Sequence, residues 1–321
     1  MKILIAYDGS DCAEAALDDL QRAGLPRKAE ALVVSVAEAW MLPPPSAYEI
    51  VVQAREVHVP ADLKRVYAQH SPALTEAQVL AKSAADRLRA NFPEWKVSAF
   101  GTLGSPASEL VAKADEWLPD LIVVGSHGRS TFGRLVLGSV SQRVLTESQG
   151  SVRIARGRVE EPDAPVRIVI GIDGSPASET AVRAVASRSW PPKSEVLVVA
   201  VSDPLTPTLI GRVIPMVGRA VDESNRADSA WLHQILSNAE QELQTTDLKV
   251  SKELREGEPK RVLVDVAEEW RADSIFMGSV GFSNRLERFV LGSVSAAVAA
   301  RAHCSVEVTR VLKAPGDTKN E

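Results

Sequence analysis

Short uninterrupted apolar runs alternate with longer amphipathic stretches along the whole chain. The run at 2–7 reads as a strand buried on both faces, since a strand with one face in water would alternate apolar and polar residues. Behind it, Cys12, Ala16, Leu20 and Ala23 recur at helical spacing after a Ser10 or Asp11 cap. ALVVSV at 31–36 is a second strand, followed by a loop with Pro43, Pro44 and Pro45 and a long helix over 62–91 with Pro72 as a candidate break. Strands at 96–100 and 121–124, a helix at 106–117, a helix from about 139 and a strand at 152–156 complete the first half. The second half places strands near 167–172, 195–201, 248–253, 274–277 and 306–310. Ser105-Pro106 and Ser175-Pro176 open helices, because Ser caps and Pro fits the first helical position, and Pro259 is expected to do the same. Strands of this kind separated by helices specify a mostly parallel sheet covered by helices, an α/β fold with five strands in each half.

The two halves are copies. KILIAYDGS at 2–10 returns as RIVIGIDGS at 167–175, and GSPASELVAKADEWLPDLIVVGSHG at 104–128 aligns without a gap to GEPKRVLVDVAEEWRADSIFMGSVG at 257–281. LGSVS at 137–141 recurs at 291–295, in the same order. The expected organisation is a first domain over 1–156, a linker over 157–164 with the charge and proline of GRVEEPDAP, a second domain over 165–311 and a flexible tail over 312–321.

Composition narrows the function. Among 321 residues, 37 Lys and Arg stand against 42 Asp and Glu for a net charge of −5, so no cationic surplus favours nucleic acid. Two cysteines, Cys12 and Cys304, are too few for a disulfide framework or a thiolate zinc site and are expected as core packing. No apolar run is long enough for a bilayer span, and Asp8 interrupts the N-terminus before a signal-peptide core, so a cytoplasmic protein is expected.

The chemistry-bearing pattern begins as the strand LIVV ends: Gly125, two residues, Gly128, nine residues, then Gly138-Ser139. Glycines there let the backbone turn sharply and approach a ligand, and a helix starting at Gly138 and Ser139 turns N–H groups and a positive helix end toward an anion. Glycines at strand ends also simply make tight turns; the length of the pattern and its recurrence favour the ligand loop. Open α/β sheets bind ligands beyond their carboxyl strand ends, where Asp8 also lies, so a carboxylate for a ribose and a loop for phosphates converge on a nucleotide. In the second half Gly278, two residues, Gly281 is intact, but ten residues including Glu287 separate Gly281 from Gly292-Ser293. His127 is left as a candidate phosphate contact, and Arg129, Arg134, Arg285 and Arg288 as candidate phosphate neutralisers or solvated loop charges.

On these residues each half resembles a universal stress protein domain, over 1 to about 156 and about 165 to 311. The resemblance implies a Rossmann-like, adenine nucleotide alpha hydrolase-like five-stranded sandwich, repeated in tandem, that binds ATP with Mg2+. It implies that Asp8 contacts the ribose, the backbone near Val36 the adenine, and Gly125, Gly128, Gly138, Ser139 and Val140 the phosphates. The corresponding second site is Asp173, Val201, Gly278, Gly281, Gly292, Ser293 and Val294. Loops at 38–60 and 202–225 border the adenine pocket as lids or cover core edges. The resemblance also implies that VRIAR at 152–156 and VEVTR at 306–310 pair, making the chain an internal pseudo-dimer that leaves further homodimerisation open. Walker A, Rossmann GxGxxG, HExxH and GxSxG signatures are missing, which does not exclude catalysis; a binding cradle without an evident in-line water activator or acceptor pocket ranks a nucleotide-binding regulator above a slow ATP hydrolase or phosphotransferase, and the glycine spacing counts against a nucleotide-free scaffold. The inducing stress and any protein partner are unspecified.

Overall fold

The computed structural model describes residues 1–38, 61–128, 137–156, 164–203, 215–280 and 291–311, with backbone only over 61–71 and 215–222. The first half runs β1 (Lys2–Ala6), α1 (Asp11–Asp19), a 3-10 turn (Leu20–Arg22), β2 (Glu30–Glu38), α2 (Ala61–Asn91), β3 (Lys96–Gly104), α3 (Pro106–Trp117), β4 (Leu121–Gly125), α4 (Ser139–Glu147) and β5 (Ser151–Ala155). The second runs β6 (Arg167–Ile172), α5 (Pro176–Ala186), β7 (Glu195–Ser202), α6 (Pro215–Leu243), β8 (Lys249–Glu256), α7 (Pro259–Glu269), β9 (Ser274–Gly278), α8 (Ser293–Arg301) and β10 (Ser305–Thr309).

The two five-stranded units share one ten-stranded sheet in the order β3-β2-β1-β4-β5-β10-β9-β6-β7-β8. Every neighbouring pair is parallel except β5–β10, which is antiparallel. The apolar runs follow from burial on both faces: in β1, Ile3 and Ile5 pack with Leu17 and Leu88 of α1 and α2, while Leu4 packs on the opposite face with Leu110 and Val144 of α3 and α4. That second face forms one core with its counterpart in the other half, through Leu263 and Val298, so the interior is continuous across the β5–β10 seam. The outer edge strand β8, KVSKELRE, carries charge and little burial, which discourages further strand addition.

Three expectations change. α2 runs unbroken through Pro72, which lies on an exposed position where water can take up the carbonyl that proline leaves without a donor. The expected loop over 202–225 ends early, since α6 already starts at Pro215, the first helical position that proline tolerates. The helix after β1 tightens into the 3-10 turn before Ala23. The loop residues 39–60 and 204–214, the linker residues 157–163 and the tail 312–321 lie outside the described residues.

Candidate functional site

The first site is assembled by the turns that end β1 and β4. Gly9, at φ +74°, turns the chain after Asp8, and Asp8 Oδ1 accepts the Ser10 N–H at 3.0 Å. Ser10 Oγ in turn accepts the Ala13 N–H at 3.2 Å and caps α1, so one turn fixes both the carboxylate and the helix. Across the strand ends, a Cβ on Gly128 would stand 3.1 Å from Asp8 Oδ2. The loop then returns beside itself: the Gly138 N–H donates to Ser126 O at 2.9 Å, and Ser141 Oγ donates to Gly125 O at 2.6 Å. Asp8, Gly125, Gly128, Gly138 and the start of α4 therefore come together at one sheet edge. Val36 lies half-buried near the carboxyl end of β2, the strand beside β1.

Gly138 supplies no side chain to cap α4, in contrast to Ser10 before α1. The first-turn N–H groups, those of Ser139 and Val140 among them, have no intrahelical acceptor, and they carry the positive end of the helix dipole. Ser139 is exposed and Val140 half-buried against the core. The other glycines have reasons within the protein itself. A Cβ on Gly125 would meet the Cys12 carbonyl oxygen at 2.9 Å, and one on Gly138 would meet His127 Cα and Ser126 O at 3.3 Å. Among these glycines Gly128 is the one whose missing side chain faces the Asp8 carboxylate.

His127 Nδ1 lies 3.1 Å from Ser126 Oγ, while its buried Nε2 has no hydrogen-bond partner among the described residues. Burial, and then the Arg156 charge, hold its imidazolium below the ordinary histidine range. Arg156 follows β5 and donates to Ala299 O at 2.7 Å in the second half, so the loop lies within the field of a seam residue.

The second site repeats the frame. Asp173 Oδ1 accepts the Ser175 N–H at 3.0 Å and its hydroxyl at 2.6 Å, and Ser175 caps α5 through the Ser178 N–H at 3.2 Å. The Gly292 N–H donates to Ser279 O at 2.6 Å, and a Cβ on Gly278 would meet Ala177 C at 2.7 Å. Gly292 caps α8 without a side chain, Ser293 opens it, and Val201 and Val294 are half-buried. Two features differ: Val280 replaces His127, and the Trp231 ring of α6 covers the Gly174 turn, 2.5 Å from where a Cβ would sit. Gly281, Glu287, Arg129, Arg134, Arg285 and Arg288 lie outside the described residues.

Sequence reasoning missed Tyr7, which donates to Glu14 while Arg87 of α2 binds both Glu14 and Asp18. Burial and Glu14 push the Tyr7 phenol up to about 12. Its position next to Asp8 was visible in the chain; the partner on α2 was not.

Comparison with known proteins bears on the family and the fold. The sequence model of the Universal stress protein family matches residues 1–156 and again 166–310. A universal stress protein of Mycolicibacterium smegmatis is 29% identical over 203 residues, 59% of this chain and 61% of that protein. The chain thus spans less than two thirds of that relative's length. Universal stress protein MJ0531 of Methanocaldococcus jannaschii is 32% identical over 151 residues, 46% of this chain and 83% of that protein. The crystal structure of a universal stress protein from Archaeoglobus fulgidus superposes with a TM-score of 0.63 over 96% of this chain and 98% of that one, at 20% identity, a likeness of fold.

Proposed function

The chain belongs to the universal stress protein family, and from that premise we propose that it is an ATP-binding regulator of a stress response, acting through its nucleotide-bound state and not through turnover. The observation that carries this reading is the meeting of Asp8 with Gly128 beside the uncapped start of α4. A carboxylate suits the hydroxyl donors of a ribose, and a glycine turn next to helix N–H groups without intrahelical acceptors suits phosphates, so one nucleotide satisfies both. Two observations support the fit: a Cβ at Gly128 would intrude on the cradle, and the buried His127 Nε2 is orphaned among the described residues.

On this reading Asp8 holds the ribose, the backbone near Val36 the adenine, and Gly125, Gly128, Gly138, Ser139 and Val140 the phosphates. Asp173, Val201, Gly278, Gly281, Gly292, Ser293 and Val294 do the same in the second half. With the nucleotide these residues would hold, Mg2+ would neutralise part of the phosphate charge. Among the described residues His127 is bonded to a hydroxyl and no carboxylate orients it as a general base, which favours binding over hydrolysis. A cytoplasmic place of action belongs to the same reading.

Mass spectrometry of small molecules released from freshly purified protein, with calorimetry against ATP and Mg2+, tests it. Retained or titratable adenine nucleotide is expected. Protein that emerges nucleotide-free and gains no thermal stability from ATP is a scaffold instead. Phosphate release that disappears in Gly128→Val would make it a hydrolase.

A further inference from the structure

The strands that join the halves are the same strand of the repeat, so each is also the edge by which two like halves would meet. In the chain the unlike strands pair, with Arg153 opposite Glu307 at the centre, flanked by Ile154–Val306 and Val152–Val308. The two central side chains are 2% and 1% exposed and touch at 3.3 Å. On one side Asp19 accepts from Arg153 Nε at 2.6 Å and from Nη2 at 3.0 Å; on the other Glu307 accepts from Arg188 Nη1 at 2.9 Å. Charge therefore alternates along the buried row from Asp19 and Arg153 of the first half to Glu307 and Arg188 of the second.

Replacing either half with a copy of the other keeps the row neutral but destroys its order. Arg153 would face Arg153 with the aspartates outside, or Glu307 would face Glu307 with the arginines outside. Like charges at contact distance, where little water screens them, are costly. Shape acts in the same direction. Phe276, fully buried, lies beneath both guanidiniums, its ring centre 5.9 Å from Arg153 and 5.0 Å from Arg188. The first half has Val123 at that repeat position, so two first halves would leave a void and two second halves would crowd two phenyl rings. At the rim, Gly24 at φ +65° admits the Trp190 ring, which would stand 2.9 Å from a Cβ there. The Ser189 N–H donates to Gly24 O at 3.1 Å, and Arg22 pairs with Asp273 at 3.2 Å, both across the seam.

We infer that this seam is a selector, accepting only the unlike half: a second copy of the chain joins through these edges only by exchanging halves, and like-with-like pairing is excluded. The test uses the full chain, with a specific protease site replacing residues 158–162 and cut after folding. Cleaved protein is mixed with isotope-labelled cleaved protein, held in urea below the unfolding transition, and weighed by native mass spectrometry. Every pair, exchanged or not, is expected to combine a first half with a second. Like pairs at a substantial fraction of the total overturn the inference. Glu307→Arg, which sets Arg against Arg153, is expected to weaken pairing of the cleaved halves on the order of a hundredfold or more. A folded variant that pairs as firmly as wild type also overturns it, and the exchange measurement decides if that variant does not fold.

Discussion

Asp8 and Gly128 meet across the carboxyl ends of β1 and β4, Asp8 Oδ2 standing 3.1 Å from the point where a side chain on Gly128 would begin. Apart from Gly128's own chain neighbours, no other atom of the described residues lies within 4 Å of that point, so a larger residue there meets the Asp8 carboxylate and not the packed core. Gly128→Val is expected to fold normally and lose about a hundredfold in ATP affinity, roughly 2.7 kcal/mol, through one or two hydrogen bonds left unmade. Calorimetry beside a thermal melt checks it; unchanged affinity with the fold intact rejects the placement of the phosphates.

Gly125→Ala should behave in the opposite sense. Its Cβ would press on the Cys12 carbonyl at 2.9 Å, and this is backbone of α1 that cannot swing aside. A stability loss of about 1–3 kcal/mol is expected from overpacking, read as a lower urea midpoint. Gly138→Val falls between the two, because its Cβ would push His127 and Ser126 by a few tenths of an ångström and disturb loop and ligand together.

The two sites are expected to be unequal, the first at least as tight as the second. The first keeps nine-residue spacing and has His127 where the second has Val280, and the second carries Glu287 in a loop one residue longer. Binding isotherms of Gly128→Val and Gly281→Val separate them. Loss of all binding in the Gly281 variant, with none lost in the Gly128 variant, would reverse the order.

His127 gives a pH signature. Its folded-state pKa lies below the ordinary 6.5, so the unfolded chain takes up the proton first as pH falls. The stability associated with neutral His127 is therefore complete above pH 6.5 and is lost as pH drops from there toward the folded-state pKa. Urea midpoints between about pH 5 and about pH 7 should slope less in His127→Gln than in wild type. Bound ATP should raise the imidazole pKa, followed by NMR, if phosphate lies beside Nε2.

Asp19 ties α1 to both seam strands, accepting twice from Arg153 and once from Ser305 Oγ at 2.6 Å. Asp19→Ala removes the inner partner of a buried guanidinium and is expected to cost about 3–5 kcal/mol. Chemical unfolding should show the loss. A change below about 1 kcal/mol would mean that Glu307 alone satisfies Arg153.

The duplication, the strands of both halves and the glycine loops at their carboxyl ends were determined by the sequence itself, because apolar runs, caps and turn residues act over a few positions. Arg153 and Glu307 could likewise be read as opposite charges at equivalent repeat positions. The family resemblance already implied that 152–156 and 306–310 pair; that they run antiparallel in the register that sets Arg153 opposite Glu307 was decided by tertiary structure. The same holds for the α1 backbone that leaves no room for a Cβ on Gly125, whatever ligand its loop holds, and for Pro72, tolerated because its side of α2 faces water. Local pattern fixes which backbone each segment adopts. Which side chains become neighbours is settled only when the sheet closes at β5 and β10, because burial, and with it the strength of every charge and the cost of every Cβ, is a property of the packed whole.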